Sequence, residues 1–130
     1  MLPKALVVVD DPPTRDALRT VVSEEGFTVD AVADGRIALE LLAEQHYSMI
    51  LLDIVLPRLS GAAVMEHLHL HSPGVLESVV VVTGLDVSEI RKLYPGVREA
   101  LARPVLPARL RKAVRRFLPG FDEATGISVA

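Results

Sequence analysis

Apolar residues fall along the chain in two rhythms. Ala5-Leu6-Val7-Val8-Val9, Met49-Ile50-Leu51-Leu52 and Val79-Val80-Val81-Val82 are short, unbroken and largely β-branched or leucine-rich. Runs of this length, bounded by turn residues, predict strands buried on both faces. Between them, apolar residues recur at helical spacing. Ala17, Leu18, Val21 and Val22 make one such stripe, and Ile37, Ala38, Leu41 and Leu42 a second. Ala62, Val64, Met65 and Leu68 make a third, and Leu106, Leu110, Ala113, Val114 and Phe117 a fourth. Each stripe predicts a helix with those residues facing inward. Phe27 to Val32 alternates like a shorter strand, Val87 to Leu93 reads as a short polar helix, and Val97 to Ala102 as a weak fifth strand. The third strand is expected to run from Tyr47 to Asp53.

Punctuation agrees with this division. Pro12-Pro13 suits a first helical turn, where proline is tolerated. Gly26 stops that helix and Asp34 can cap the next. Pro73-Gly74 and Pro95-Gly96 are breaks, and Pro119-Gly120 ends the last helix. Five strands alternating with five helices over short connections predict an α/β fold, a doubly wound parallel sheet covered on both sides. Residues 1–118 are expected to form one domain, and residues 119–130 a C-terminal tail or the start of a linker.

Composition narrows the function classes. A chain of 130 residues, half of them hydrophobic, can bury a core and is not disordered. It has no cysteine, which leaves out disulfides, thiolate metal sites and thiol nucleophiles. No stretch approaches a membrane span and no signal peptide is visible, so a cytoplasmic location is expected. The formal net charge of −3 gives no reason to expect direct nucleic-acid binding by this domain. Six basic residues and no acidic one lie between Arg103 and Arg116, which reads as a solvated helix face.

Candidate chemistry sits at the strand ends. Asp10 and Asp11 follow the first strand, Asp53 ends the third, Thr83 the fourth, and Arg103 follows the fifth. In an open parallel sheet these ends lie side by side at the ligand edge. Clustered carboxylates need a cation, and oxygen ligands suit Mg²⁺ better than Zn²⁺. A carboxylate beside a metal, a hydroxyl and a guanidinium has the parts for receiving a phosphoryl group. Asp53 would be the nucleophile, while Thr83 and Arg103 would bind the equatorial oxygens.

These pieces resemble the response-regulator receiver family. The match is carried by Val7-Val8-Val9-Asp10-Asp11, by Leu52-Asp53-Ile54-Val55-Leu56-Pro57 with Gly61 beyond it, by Val82-Thr83-Gly84 and by Arg103-Pro104. The resemblance implies a CheY-like, flavodoxin-type topology with strand order 2-1-3-4-5. It implies a phosphorelay (two-component) signalling role and no enzyme activity beyond self-catalysed phosphorylation and dephosphorylation. Asp53 would accept phosphoryl from a sensor histidine kinase or a histidine phosphotransfer protein. Mg²⁺ would be held by the strand-one acids Asp10 and Asp11, by Asp53 and by the backbone carbonyl of Val55. Thr83 would then move and alter partner binding on the face of the fourth helix, fifth strand and fifth helix. Homodimerisation through that face is a family habit, and the Arg103-Pro104 peptide bond is often cis in the family.

Three residues depart from the family pattern. Counted back from Asp53, Asp10 is the direct metal ligand, which leaves Val9 where another acid belongs and Asp11 one place beyond. A second alignment pairs Asp10 and Asp11 normally and deletes one loop residue. Arg103 stands where lysine is usual, and the two differ in shape and hydration. Ala100 stands where an aromatic is usual on the fifth strand. Two functions follow: a phosphoacceptor domain that switches by a variant route, or a degenerate receiver that binds its partner without phosphorylation.

Other assignments fit less well. His67 and His71 share a helical face and could grip a metal, but no Glu or Cys completes a set with His69, and a solvated surface is expected. A flavodoxin-like cofactor site needs a hydroxyl- and glycine-rich loop where Asp10-Asp11-Pro12-Pro13 stands, and these acids repel phosphate. An aspartyl-phosphate hydrolase wants a second acid two residues after a strand-one nucleophile, where this chain has Pro12.

Overall fold

The computed structural model describes residues 2–54, 60–84, 86–122 and 124–128. Five parallel strands, β1 (Lys4–Val8), β2 (Thr28–Val32), β3 (Met49–Asp53), β4 (Val79–Thr83) and β5 (Glu99–Ala102), lie in the order β2-β1-β3-β4-β5. They alternate with α1 (Pro12–Glu24), α2 (Gly35–Glu44), α3 (Gly61–His71), α4 (Val87–Leu93) and α5 (Pro107–Arg115). The sheet topology matches the order implied by the family resemblance.

The period of two along each strand sorts side chains into two cores. Leu6, Val8, Ile50, Leu52, Val79 and Val81 pack with Ala38 of α2, Val64, Met65 and Leu68 of α3 and Ile90 of α4. Their neighbours Ala5, Val7, Met49, Leu51, Val80 and Val82 pack with Leu18 and Val22 of α1 and Leu110, Ala113 and Val114 of α5. Every residue of β3 and β4 is buried, which is why both read as continuous apolar runs.

Several inward assignments fail at small or terminal residues. Ala17 and Ala62 are exposed. Ile37, in the first turn of α2, is 37% exposed as well. Leu106 is 57% exposed because it caps α5 from outside the helix. The Pro73-Gly74 break is a 3-10 turn from Pro73 to Ser78 that leads directly into β4. Beyond α5, within the expected tail, β6 (Phe121–Asp122) and β7 (Ile127–Ser128) form a small antiparallel pair.

Helices α1 and α5 are also bound by charge. Arg115 makes a two-pronged contact with Glu25, Nε and Nη2 each 3.0 Å from a carboxylate oxygen. Arg111 reaches Glu24 at 2.8 Å and Glu25 at 3.4 Å. Part of the basic run is thus paired across helices rather than simply solvated. Arg115, seconded by Arg111, holds the Glu25 carboxyl below the usual range. A depressed folded-state pKa contributes stability at neutral pH that is lost as pH falls through that value. Glu25→Gln is expected to lose about 1 kcal/mol at neutral pH, limited by the solvent exposure of both guanidiniums. Urea unfolding at neutral pH and below pH ~3 checks this, because the difference from wild type should vanish in acid.

Candidate functional site

The C-terminal ends of the strands bring the expected side chains to one edge. Asp53 closes β3 and is 1% exposed; Thr83 closes β4 and is fully buried. Asp53 pairs in register with Val82, and Thr83 with Ala102. Arg103 follows at once, its amide donating to the Thr83 carbonyl at 2.9 Å. The Arg103–Pro104 bond is cis. From this turn the Arg103 guanidinium donates to the Asp53 carboxylate, while its side chain remains 40% exposed. A buried anion and a half-exposed cation thus meet at the mouth of the sheet.

The turn after β1 completes that edge. Val9 is fully buried in the core beneath α1 and α5, so its side chain points away from the acids. Asp10 is exposed. Asp11 is the N-cap of α1, accepting from the Thr14 amide at 3.1 Å and from the Thr14 hydroxyl. Those two bonds hold its carboxyl below the usual range, with Arg103 and Arg15 adding smaller pulls of the same sign. Arg15 donates through Nη1 to the carbonyls of Val9 at 3.0 Å and Asp10 at 3.2 Å. Its role in fixing the acidic turn has no sequence signal short of the fold.

Gly61 braces the other side of Asp53. A Cβ at this position would overlap the Asp53 carbonyl oxygen and lie 2.5 Å from Ile54 Cα. Ile54 is locked by its amide donating to Val82 at 3.1 Å and its carbonyl accepting from Ala62 at 3.2 Å. The start of α3 therefore presses on the backbone that carries the carboxylate. Val55, expected to lend a carbonyl to a cation, lies outside the described residues, as do Leu56 and Pro57.

No three His, Cys, Asp or Glu side chains converge among the described residues, so the donor set is not a closed protein cage. Mg²⁺ needs less, since one or two carboxylates suffice when waters and phosphate oxygens fill the rest. Asp10 and Asp53 are chemically suited to that mode. The histidines lie elsewhere. His67 and His71 touch, with ring centroids 4.6 Å apart, and His67 lines a cleft with Tyr47 and Ser78 near the opposite ends of the strands. Ala100 is 8% exposed and packs in the same core as Ile90 and Val97. Among the described residues no helix is long and apolar enough to cross a membrane.

Known proteins share this fold. Residues 5–115 match the response regulator receiver domain family. Response regulator MprA of Mycolicibacterium vanbaalenii is 37% identical, over 98% of this chain and 56% of its own length. The probable transcriptional regulator ycf27 of Porphyridium aerugineum is 32% identical, over 94% of this chain and 50% of its own. The chain thus spans about half the length of the curated relatives it matches. Among solved structures, the Francisella response regulator 1452 receiver domain superposes with a TM-score of 0.78 at 27% identity, covering 88% of this chain and 95% of that one. The receiver domain of sensor histidine kinase PA1611 from Pseudomonas aeruginosa, which has a magnesium ion coordinated in its active site cleft, gives 0.76 at 26% identity, with 90% and 98% covered. On the extent of the family match and the shared topology, this chain belongs to the response regulator receiver domain family.

Proposed function

We propose that Asp53 accepts a phosphoryl group and that the domain passes this event on as a change in partner binding. A buried carboxylate in contact with a guanidinium, with a buried hydroxyl on the next strand, carries this reading. The donor would be a phosphohistidine of a sensor histidine kinase or a histidine phosphotransfer protein, and the domain would meet it in the cytoplasm. An Asp53 carboxylate oxygen forms the new P–O bond as the donor's P–N bond breaks, and that electron pair leaves on the imidazole nitrogen. Arg103 stays beside the product and offsets the charge on the phosphoryl oxygens, with the Thr83 hydroxyl as a second donor. Asp10 and Asp53 would hold Mg²⁺, with the Val55 carbonyl as a third oxygen; bound there, the ion supplies charge neutralisation at the phosphoryl group. Asp11 adds negative charge to the same edge while it remains on the helix cap.

The outgoing signal would leave by the face of α4, β5 and α5. In a longer protein, residues 119–130 would lead into the output region, and the transcriptional role printed for one relative makes gene regulation the natural class for it. The domain is a signalling module on this reading. Its chemistry is limited to gaining and losing its own phosphoryl group.

Incubation with acetyl phosphate and Mg²⁺, followed by intact mass measurement, tests the central step. Wild type is expected to gain one phosphoryl mass, and Asp53→Asn none while keeping its far-UV circular dichroism. A wild-type chain that stays unmodified under those conditions, and with phosphoramidate, would sink the phosphoacceptor reading.

A further inference from the structure

His67 and His71 lie one turn apart on α3, and their rings touch, with centroids 4.6 Å apart and planes tilted by 46°. The phase of the helix is fixed from its other side. Val64, Met65 and Leu68 are buried in the core, so the two histidines are held on an exposed flank. Helical side chains lean towards the N-terminus, which brings His71 back over His67. Two imidazoles on one ion, with metal–nitrogen bonds of about 2.0–2.1 Å, set their ring centres roughly 4.5–5 Å apart when they take adjacent coordination positions. The observed separation lies within that range, so the backbone already holds the rings at chelating distance. The surroundings favour a cation. His71 closes an 11-residue helix, at the end where unpaired carbonyls carry partial negative charge. His67 also lines a cleft of about 480 Å³ between α2 and α3, with Glu44, His46 and Ser72. Among the described residues no Lys or Arg lines that cleft, and its space leaves room for water ligands.

We infer that His67 and His71 form a two-point clamp for a late first-row divalent metal ion, of the class of Ni²⁺, Cu²⁺ and Zn²⁺. Imidazole nitrogen suits these ions, whereas Mg²⁺ takes oxygen, so the clamp and the acidic edge at Asp53 select different metals. No third His, Cys, Asp or Glu side chain joins the pair among the described residues, so water completes the coordination shell. His69 stands two residues from each and faces another side of the helix, where it takes no part. A bound ion cross-links the last turns of α3. There the Ser72 amide donates to the Leu68 carbonyl at 2.8 Å, and the chain turns through Pro73–Ser78 into β4. The ion therefore stabilises the folded domain from the end of the sheet opposite Asp53, and its binding requires no phosphoryl transfer.

The test titrates the untagged chain with Ni²⁺ in an excess of Mg²⁺, by calorimetry and by NMR of the isotopically labelled chain. Saturable binding of one ion is expected, with paramagnetic broadening of amide signals centred on residues 67–72. His67→Ala and His71→Ala should each weaken binding at least ~10-fold, because each removes one of the two protein ligands. Both side chains are exposed, so these variants keep their far-UV circular dichroism. His69→Ala should bind as wild type does. Ni²⁺ should raise the urea midpoint of wild type and leave that of His71→Ala in place. The inference is overturned if no saturable binding is found, if the broadening centres on Asp53, or if either alanine variant binds like wild type. It is equally overturned if His69→Ala weakens binding as much as they do. Asp53→Asn, titrated in parallel, should bind Ni²⁺ fully whatever acetyl phosphate does to wild type, so the clamp and the phosphoacceptor reading fail separately.

Discussion

Gly61→Ala is expected to destabilise the domain by about 3 kcal/mol and to suppress phosphoryl transfer at Asp53. The reason is local and steric. The new methyl carbon would overlap the Asp53 carbonyl oxygen and crowd the Ile54 backbone, where no flexible side chain can yield. Either the start of α3 must lift, which opens the core around Val64 and Met65, or the end of β3 must shift and carry the carboxylate with it. In-line transfer depends on placement within a fraction of an ångström, so the second response harms chemistry even in molecules that stay folded. Urea unfolding reads the first effect and the rate of acetyl phosphate labelling the second. Gly74→Ala is the control. A Cβ there meets nothing within 4 Å, and its φ is not positive, so stability should hold or rise by about 0.5 kcal/mol. Equal losses at both glycines would remove the steric explanation.

Arg103→Ala is expected to slow acetyl phosphate labelling about 100-fold. It removes the cation that contacts the buried Asp53 carboxylate and would stay beside the phosphoryl oxygens as charge gathers on them. Stability should fall by only about 1–2 kcal/mol, less than for a fully buried pair, because the guanidinium is 40% exposed and partly screened. Arg103→Lys keeps the charge but loses the planar fork, and its labelling rate should stay within about tenfold of wild type. The comparison separates charge from shape. If alanine and lysine variants label at the same rate, the positive charge has no part in transfer.

Much of the architecture was legible because burial wrote it into single positions. Val79 to Thr83 must be hidden on both faces, and such a run has few places to go but the middle of a parallel sheet. Asp53, Thr83 and Arg103 were legible as a group because each stands where a strand stops. The paired roles of neighbouring side chains were not. Asp11, expected as a metal acid, stands before Pro-Pro-Thr at a helix start and also caps that helix, its carboxylate accepting from Thr14. Arg15 and Glu25 act through partners that the fold alone brings near. Leu106 and Ala62 fit a helical stripe on paper but sit at or beside a helix start, where a half-turn of phase decides which way a side chain faces. The small β6–β7 pair was invisible for a different reason, since two-residue strands carry no periodicity to detect.

The hydrogen bond from the Arg103 amide to the Thr83 carbonyl has a further consequence. It is a main-chain tether between the hydroxyl-bearing end of β4 and the residue that follows β5. Ala100 and Leu101, adjacent on that strand, belong to opposite cores, one beneath α4 and the other beneath α5. A tilt of β5 about its own axis would therefore press on one helix as it slackens the other, in the manner of a rocker. Because the tether is built from backbone, it does not depend on an aromatic side chain at position 100, and ordinary side-chain substitutions leave it in place.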